Sequence, residues 1–152
     1  MAPLIVMLAA WLVARLAGTA GLWLHADSWT GALRIALAAM FVFTAVSHFH
    51  PRTRPDLIRM VPASLPAPAL LVSATGVLEL LGAIGLMVPR ALPAAAYGLM
   101  ALLVAMFPAS IHAAREGRLI AGRRAVPPAW HLPLQVFWIA ARLWVRAPSP
   151  SL

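Results

Sequence analysis

The sequence predicts an all-α transmembrane helical bundle, a four-helix antiparallel core with an extra N-terminal helix. Three observations carry this. Of 152 residues, 62% are hydrophobic and 11% charged, whereas a soluble domain carries about 25% charged residues. The apolar residues fall in blocks close to the ~20 residues that a helix needs to cross a ~30 Å hydrocarbon core. The basic residues gather in the short polar stretches between those blocks. A single membrane domain over 1–152 is therefore expected.

The first block, 3–24, is interrupted by Arg15. A secretory signal would place basic residues ahead of its apolar stretch, but residues 2–14 carry no charge. A retained helix is expected, although Ala17-Gly18-Thr19-Ala20 loosely imitates a cleavage site. The second block, 31–49, starts near Trp29 and closes on Ser47-His48-Phe49-His50-Pro51. A loop over 51–66 holds Arg52, Arg54, Asp56 and Arg59. Pro62, Pro66 and Pro68 then punctuate the entry to the third block, 67–88, where a first-turn proline is tolerated. Pro89-Arg90 is a very short link, so the fourth block, 91–114, is expected to be the antiparallel neighbour of the third. Pro108 is expected to kink its last turns. A polar loop over 115–129 follows, and a short fifth block, 130–145, ends at Arg146.

All 12 basic residues are arginine; with 4 acids the formal charge is +8. Seven arginines lie in the loops 51–66 and 115–129, against Arg34, Arg90 and Arg146 at the opposite ends. The positive-inside rule places the two arginine-rich loops in the cytoplasm. Trp23, Trp29, Trp130 and Trp144 fall near block ends, where interfacial tryptophans are favoured. The basicity does not point to nucleic acid, because no basic cluster exceeds Arg123-Arg124. The chain has no cysteine, which excludes disulfide exchange, thiolate metal sites, iron–sulfur clusters and covalently attached c-type haem.

Glu79, near the centre of the third block, is the most unusual residue. An ionisable group at mid-bilayer costs about 2.5–3.5 kcal/mol on insertion scales and is usually interior, paired or functional. Thr75, Gly76, Glu79, Gly82 and Ala83 recur at helical spacing, and small residues let helices approach closely. Gly76, Gly82 and Ala83 are thus expected to pack against neighbouring helices, with Glu79 facing inward. Counted from the helix ends, Arg15 and Arg142 reach nearly the same depth, so an ion pair of Glu79 with one or the other is expected. Such a carboxylate is either a packing lock or a titrating, ligand-anchoring group.

A second polar constellation is expected at the cytoplasmic ends, from His48 and His50, Ser110 and His112, and His131 and Gln135. Several imidazoles at one level suit a metal or haem. However, His48 and His50 at i, i+2 do not share a helix face, and no carboxylate second shell is evident. No metal site is expected, and histidines that cap helix ends near lipid headgroups are the simpler reading. No Ser-His-Asp order, phosphate-cradling loop or zinc-protease helix is present, so no catalytic residue is assigned.

The run Phe41-Val42-Phe43-Thr44-Ala45-Val46-Ser47-His48-Phe49 resembles the DoxX-like family of small membrane proteins. So do Met60-Val61-Pro62 with Leu65-Pro66, the run Thr75-Gly76-Val77-Leu78-Glu79-Leu80-Leu81-Gly82-Ala83, Phe107-Pro108-Ala109, and Leu132-Pro133-Leu134-Gln135. The blocks keep their order over 31–146. The resemblance implies a four-helix core in a bacterial-type inner (plasma) membrane. Relatives of that type include a subunit of thiosulfate:quinone oxidoreductase. It draws attention here to His48, Gly76, Glu79, Gly82, Pro108 and Gln135. The sequence departs from the pattern at Ala45, Ser110 and His131, where glycine, asparagine and arginine are common.

Three functions follow as expectations. The first is a non-catalytic subunit or lipophilic-ligand-binding bundle linked to membrane redox metabolism. It would hold no cofactor of its own, take a quinone as ligand, and have the lipid bilayer, a redox protein or further copies of itself as partners. The second is a quinone-linked oxidoreductase in its own right. The third is a small proton-coupled transporter using Glu79.

Overall fold

Helix after helix follows the apolar blocks, each ended by a local signal. A computed structural model of the chain describes residues 2–23, 26–115, 119–120 and 123–124. The expected helix 130–145 lies outside the described residues.

Helix α1 (Ala2–Thr19) is shorter than the expected 3–24. Its stop is Gly21, at φ +72°. The amide of Leu22 donates to Ala17 O and that of Gly21 to Gly18 O, both at 2.9 Å. This is the left-handed glycine terminator that satisfies the last carbonyls of a helix. Hydrophobicity continues through Leu24, but the backbone turns at the glycine.

Helix α2 (Trp29–Phe49) begins two residues before the expected 31–49 because Ser28 caps it, its hydroxyl accepting from Gly31 N at 3.0 Å. It ends at His50, which Pro51 holds out of helical conformation. The stretch 51–66, expected as loop, contains a seven-residue helix, α3 (Arg54–Met60). Pro55 sits in its first turn with Asp56, and Arg59 in its last, an arrangement matched to the helix dipole. Seven residues are too few to show in a search for hydrophobic periodicity.

Helix α4 (Pro68–Met87) starts from Ala67, wedged between two prolines in the left-handed region at φ 49°. The carbonyl of Ala67 accepts from Leu70 N and Leu71 N, so its position fixes the first turn. An alanine in this region costs about 1–2 kcal/mol, and glycine's extra freedom when unfolded returns roughly 0.5–1 kcal/mol of that. Ala67→Gly is therefore expected to raise stability by about 0.5–1 kcal/mol, read as a higher unfolding midpoint of the purified protein in detergent. An unchanged or lower midpoint contradicts the strain.

A turn over 88–91 leads into α5 (Leu92–Arg115), which runs through Pro108. Pro108 has no N–H to donate to Val104 one turn back. Beyond it, Leu119–Ile120 and Arg123–Arg124 pair as two antiparallel rungs, Leu119 opposite Arg124 and Ile120 opposite Arg123. The first of these short strands lies against α3, so both arginine-bearing connections meet at one end of the molecule.

Three helices, α2, α4 and α5, are long and apolar enough to cross a membrane; α1 is a shorter apolar helix. α1 packs on α2, α2 on α4, and α4 on α5. Met7, Ala36, Met40, Phe41, Ala83, Leu86 and Leu99 form one buried core drawn from all four. On α4 the buried positions Val72, Gly76, Glu79, Ala83 and Leu86 step by four and three residues. That is the spacing of a helix seam in which side chains of one helix fill the gaps of the other. Many large apolar side chains on the outer faces are exposed, among them Leu8, Leu70, Leu81 and Val104. Such a surface suits hydrocarbon and not water.

Candidate functional site

Two buried polar side chains meet in the α2–α4 seam. Glu79 is 3% exposed and His48 is 5% exposed. Their nearest atoms, Glu79 Oε2 and His48 Nε2, are 3.6 Å apart. Thr44 lies one turn before His48 on α2. Its hydroxyl lies 3.2 Å from Met40 O and 3.0 Å from Phe41 O. Glu79 Oε2 and His48 Nδ1 have no hydrogen-bond partner among the described residues; Arg34 Nε shares that condition. Buried polar atoms left unpaired are costly and rare, so this pair is the chemical focus of the molecule.

The meeting of these residues corrects the expectation from sequence. His48 lies level with the middle of α4, beside Glu79 and Gly76, and not at the end of the bundle. The reason is stagger. A Cβ added at Gly76 would stand 2.8 Å from His48 Cβ and 2.7 Å from Phe49 Cε2. The end of α2 therefore touches α4 eight residues after Pro68, or about 12 Å along its axis. Counting depth from each helix's own end assumes that both end in one plane, and these do not.

Helix α3 makes the stagger tolerable. A helix end inside an apolar bundle needs partners for its last carbonyls. Thr53 Oγ1 donates to Ser47 O at 2.5 Å, and Arg54 Nη1 donates to His48 O at 3.1 Å. Arg54 Nη2 also donates to Ser73 Oγ at 2.9 Å and lies 3.4 Å from Ala69 O. One guanidinium thus ties the end of α2 to the start of α4, with its charge at the negative end of the α2 dipole. The sequence offered Arg54 only as one of several loop arginines.

Arg15 is not the partner of Glu79. Its Nη1 is engaged by the carbonyls of Ala26 and Asp27, and its guanidinium lies 5.0 Å from the centre of the Trp29 ring. Trp11 and Trp29 pack with ring centres 5.3 Å apart beside it. Arg15 reaches the turn between α1 and α2 because α1 stops at Thr19, one turn beyond it. The other expected partner, Arg142, lies outside the described residues, as do His131 and Gln135.

Three further expected residues, Ser110, His112 and His50, fall among the described ones. Ser110 donates to Met106 O at 3.3 Å, within its own helix. His112 is in the last turn of α5, half-buried. His50 is exposed, its Nδ1 accepting from Arg52 N at 3.2 Å. Among the described residues no three His, Asp or Glu side chains gather as metal ligands would. The small residues divide between two contacts. Gly76 and the buried Ala83 lie in the α2 seam, whereas Gly82 abuts Leu99 and Gly85 abuts Ala95 of α5.

Fold and site together define a small helical membrane bundle built around a buried imidazole–carboxyl pair. The chain belongs to the DUF8561 family, a domain of unknown function whose model matches residues 37–146. No curated protein and no solved structure matches the chain.

Proposed function

We propose that the protein is a non-catalytic component of a bacterial-type inner membrane that binds a lipophilic ligand, a quinone first among candidates, at the His48–Glu79 seam. The observation that carries this reading is two buried atoms, His48 Nδ1 and Glu79 Oε2, with no hydrogen-bond partner among the described residues, the latter 3.6 Å from His48 Nε2. A ligand site of this kind needs apolar walls and a few fixed polar groups. Phe41 and Phe49 flank the pair along α2, while the imidazole and carboxyl provide donor and acceptor capacity for a ring bearing carbonyl or hydroxyl oxygens. The resemblance to DoxX-like proteins, which include a quinone oxidoreductase subunit, points the same way. By the positive-inside rule the α3 end, with the stretch 115–129, faces the cytoplasm.

The test is equilibrium binding of a short-chain quinone to the full-length protein in lipid nanodiscs. Saturable binding is expected, weakened about tenfold or more by His48→Gln, the effect of losing roughly 1.4 kcal/mol. No saturable binding, or equal binding by the variant, overturns the reading. Reduction of the quinone by the chain alone with a small donor would instead make the protein an enzyme.

A further inference from the structure

Among the described residues, the titratable and charged groups near Glu79 lie to one side of it, with the Thr44 hydroxyl the one polar group toward Met40 and Phe41. Toward the start of α2, the seam is closed by Ala36, Met40 and Phe41 against Ala83 and Leu86, all buried and apolar. Toward α3, the carboxyl is followed by His48, then by the Arg54 guanidinium and the Ser73 hydroxyl, and then by the exposed His50 and Arg52. Only Phe49 separates His48 from the end of its helix.

We infer that Glu79 exchanges its proton with the aqueous phase on the α3 side alone, with the His48 imidazole as carrier. A proton leaving the carboxyl breaks its O–H bond and forms an N–H bond at His48 Nε2, 3.6 Å from Glu79 Oε2. The imidazolium then gives up its Nδ1 proton to water entering from the α3 end, and the ring returns to its first form by tautomer exchange. One proton moves from carboxyl to water and no electron moves. The reverse sequence reprotonates the carboxyl. Among the described residues the Phe41–Ala83–Leu86 layer is apolar and offers no onward proton carrier, so on this inference the site takes up and releases protons on the α3 side without passing them through that layer.

Charged and titratable groups on the packed elements fit this direction. From α3, Arg54 faces the pair through the His48 carbonyl. On α1, Arg15 is held at the far end by Ala26, Asp27 and Trp29, and on α2 Arg34, its Nε buried, lies about 21 Å along the helix before His48, beyond the Met40–Phe41 layer. α5 contributes Leu99 to the apolar layer, with Tyr97 exposed and His112 in its last turn. The inference does not require a bound ligand, so it stands apart from the quinone reading.

The experiment uses the full chain, reconstituted into liposomes in one orientation. The carboxyl stretching band of Glu79 is identified in the infrared by its loss in Glu79→Gln. The pH is then stepped on one side while the other is held constant. The band is expected to follow steps on the α3 side and to ignore equal steps on the opposite side. His48→Gln is expected to slow that response on the order of 10²-fold, the usual worth of a positioned proton carrier, without moving its end point. A band that follows the opposite side, both sides equally, or neither side overturns the inference, and the wild-type measurement alone decides this. An unchanged rate in a folded His48→Gln protein removes His48 as the carrier.

Discussion

His48→Leu is expected to destabilise the bundle by about 3 kcal/mol, because it leaves Glu79 buried with no imidazole beside it. The double variant His48→Leu/Glu79→Leu is expected to recover most of that loss. The asymmetry comes from the different costs of making and breaking a buried polar pair. Between transmembrane helices an average interhelical hydrogen bond contributes only about 0.6 kcal/mol, since the separated helices find other partners. Removing both groups together therefore costs little, while removing one strands the other in an apolar seam. Unfolding of the four proteins of the cycle in detergent gives the coupling directly. Equal losses in the single and double variants would show that the seam does not depend on the pair.

Gly76→Ala is expected to cost about 1–3 kcal/mol, the usual range for overpacking a well-filled contact. The new methyl would stand 2.8 Å from His48 Cβ, an atom fixed to the backbone, and 2.7 Å from the Phe49 ring. Phe49 is half-exposed and can swing aside, but His48 Cβ moves only if α2 moves. The helices must separate, and that also carries His48 away from Glu79. Gly98→Ala is the matched control, for a Cβ there meets nothing within 4 Å. Replacing an unpacked helical glycine by alanine is worth about 0.5–1 kcal/mol of stabilisation. Opposite signs at the two glycines would separate close helix approach from helix propensity, and a shared sign would count against a close seam at Gly76.

Much of the architecture was legible in the residues. The apolar blocks at 31–49, 67–88 and 91–114 differ from α2, α4 and α5 by no more than two residues at either end. Ser28, Pro51 and Pro68 mark ends by local chemistry that needs no tertiary context. The end of α1 was legible too, in Gly21, but hydrophobicity through Leu24 masked a stop that depends on one backbone angle. The helix α3 was hidden by its length. Its sign was Pro55-Asp56 at the start and Arg59 at the end, a pattern weaker than the surrounding prolines and charges.

The site divides differently. Composition and spacing alone determined that this is a helical membrane protein and that Glu79 is its anomalous residue. An acid amid apolar residues is conspicuous wherever the helix packs. The partner of that acid was decided by tertiary structure. Arg15 matched it in depth only if the helices shared common end planes, while Arg142 lies outside the described residues. The actual offset of α2 against α4 is set by Gly76 admitting His48 and Phe49, and by Thr53 and Arg54 satisfying the carbonyls of a helix that stops short. Helix rise is a property of the chain, but the axial offset of two helices depends on side-chain fit and carbonyl pairing between distant residues. That offset turns a histidine at the end of one helix into the neighbour of a carboxyl at the middle of the next.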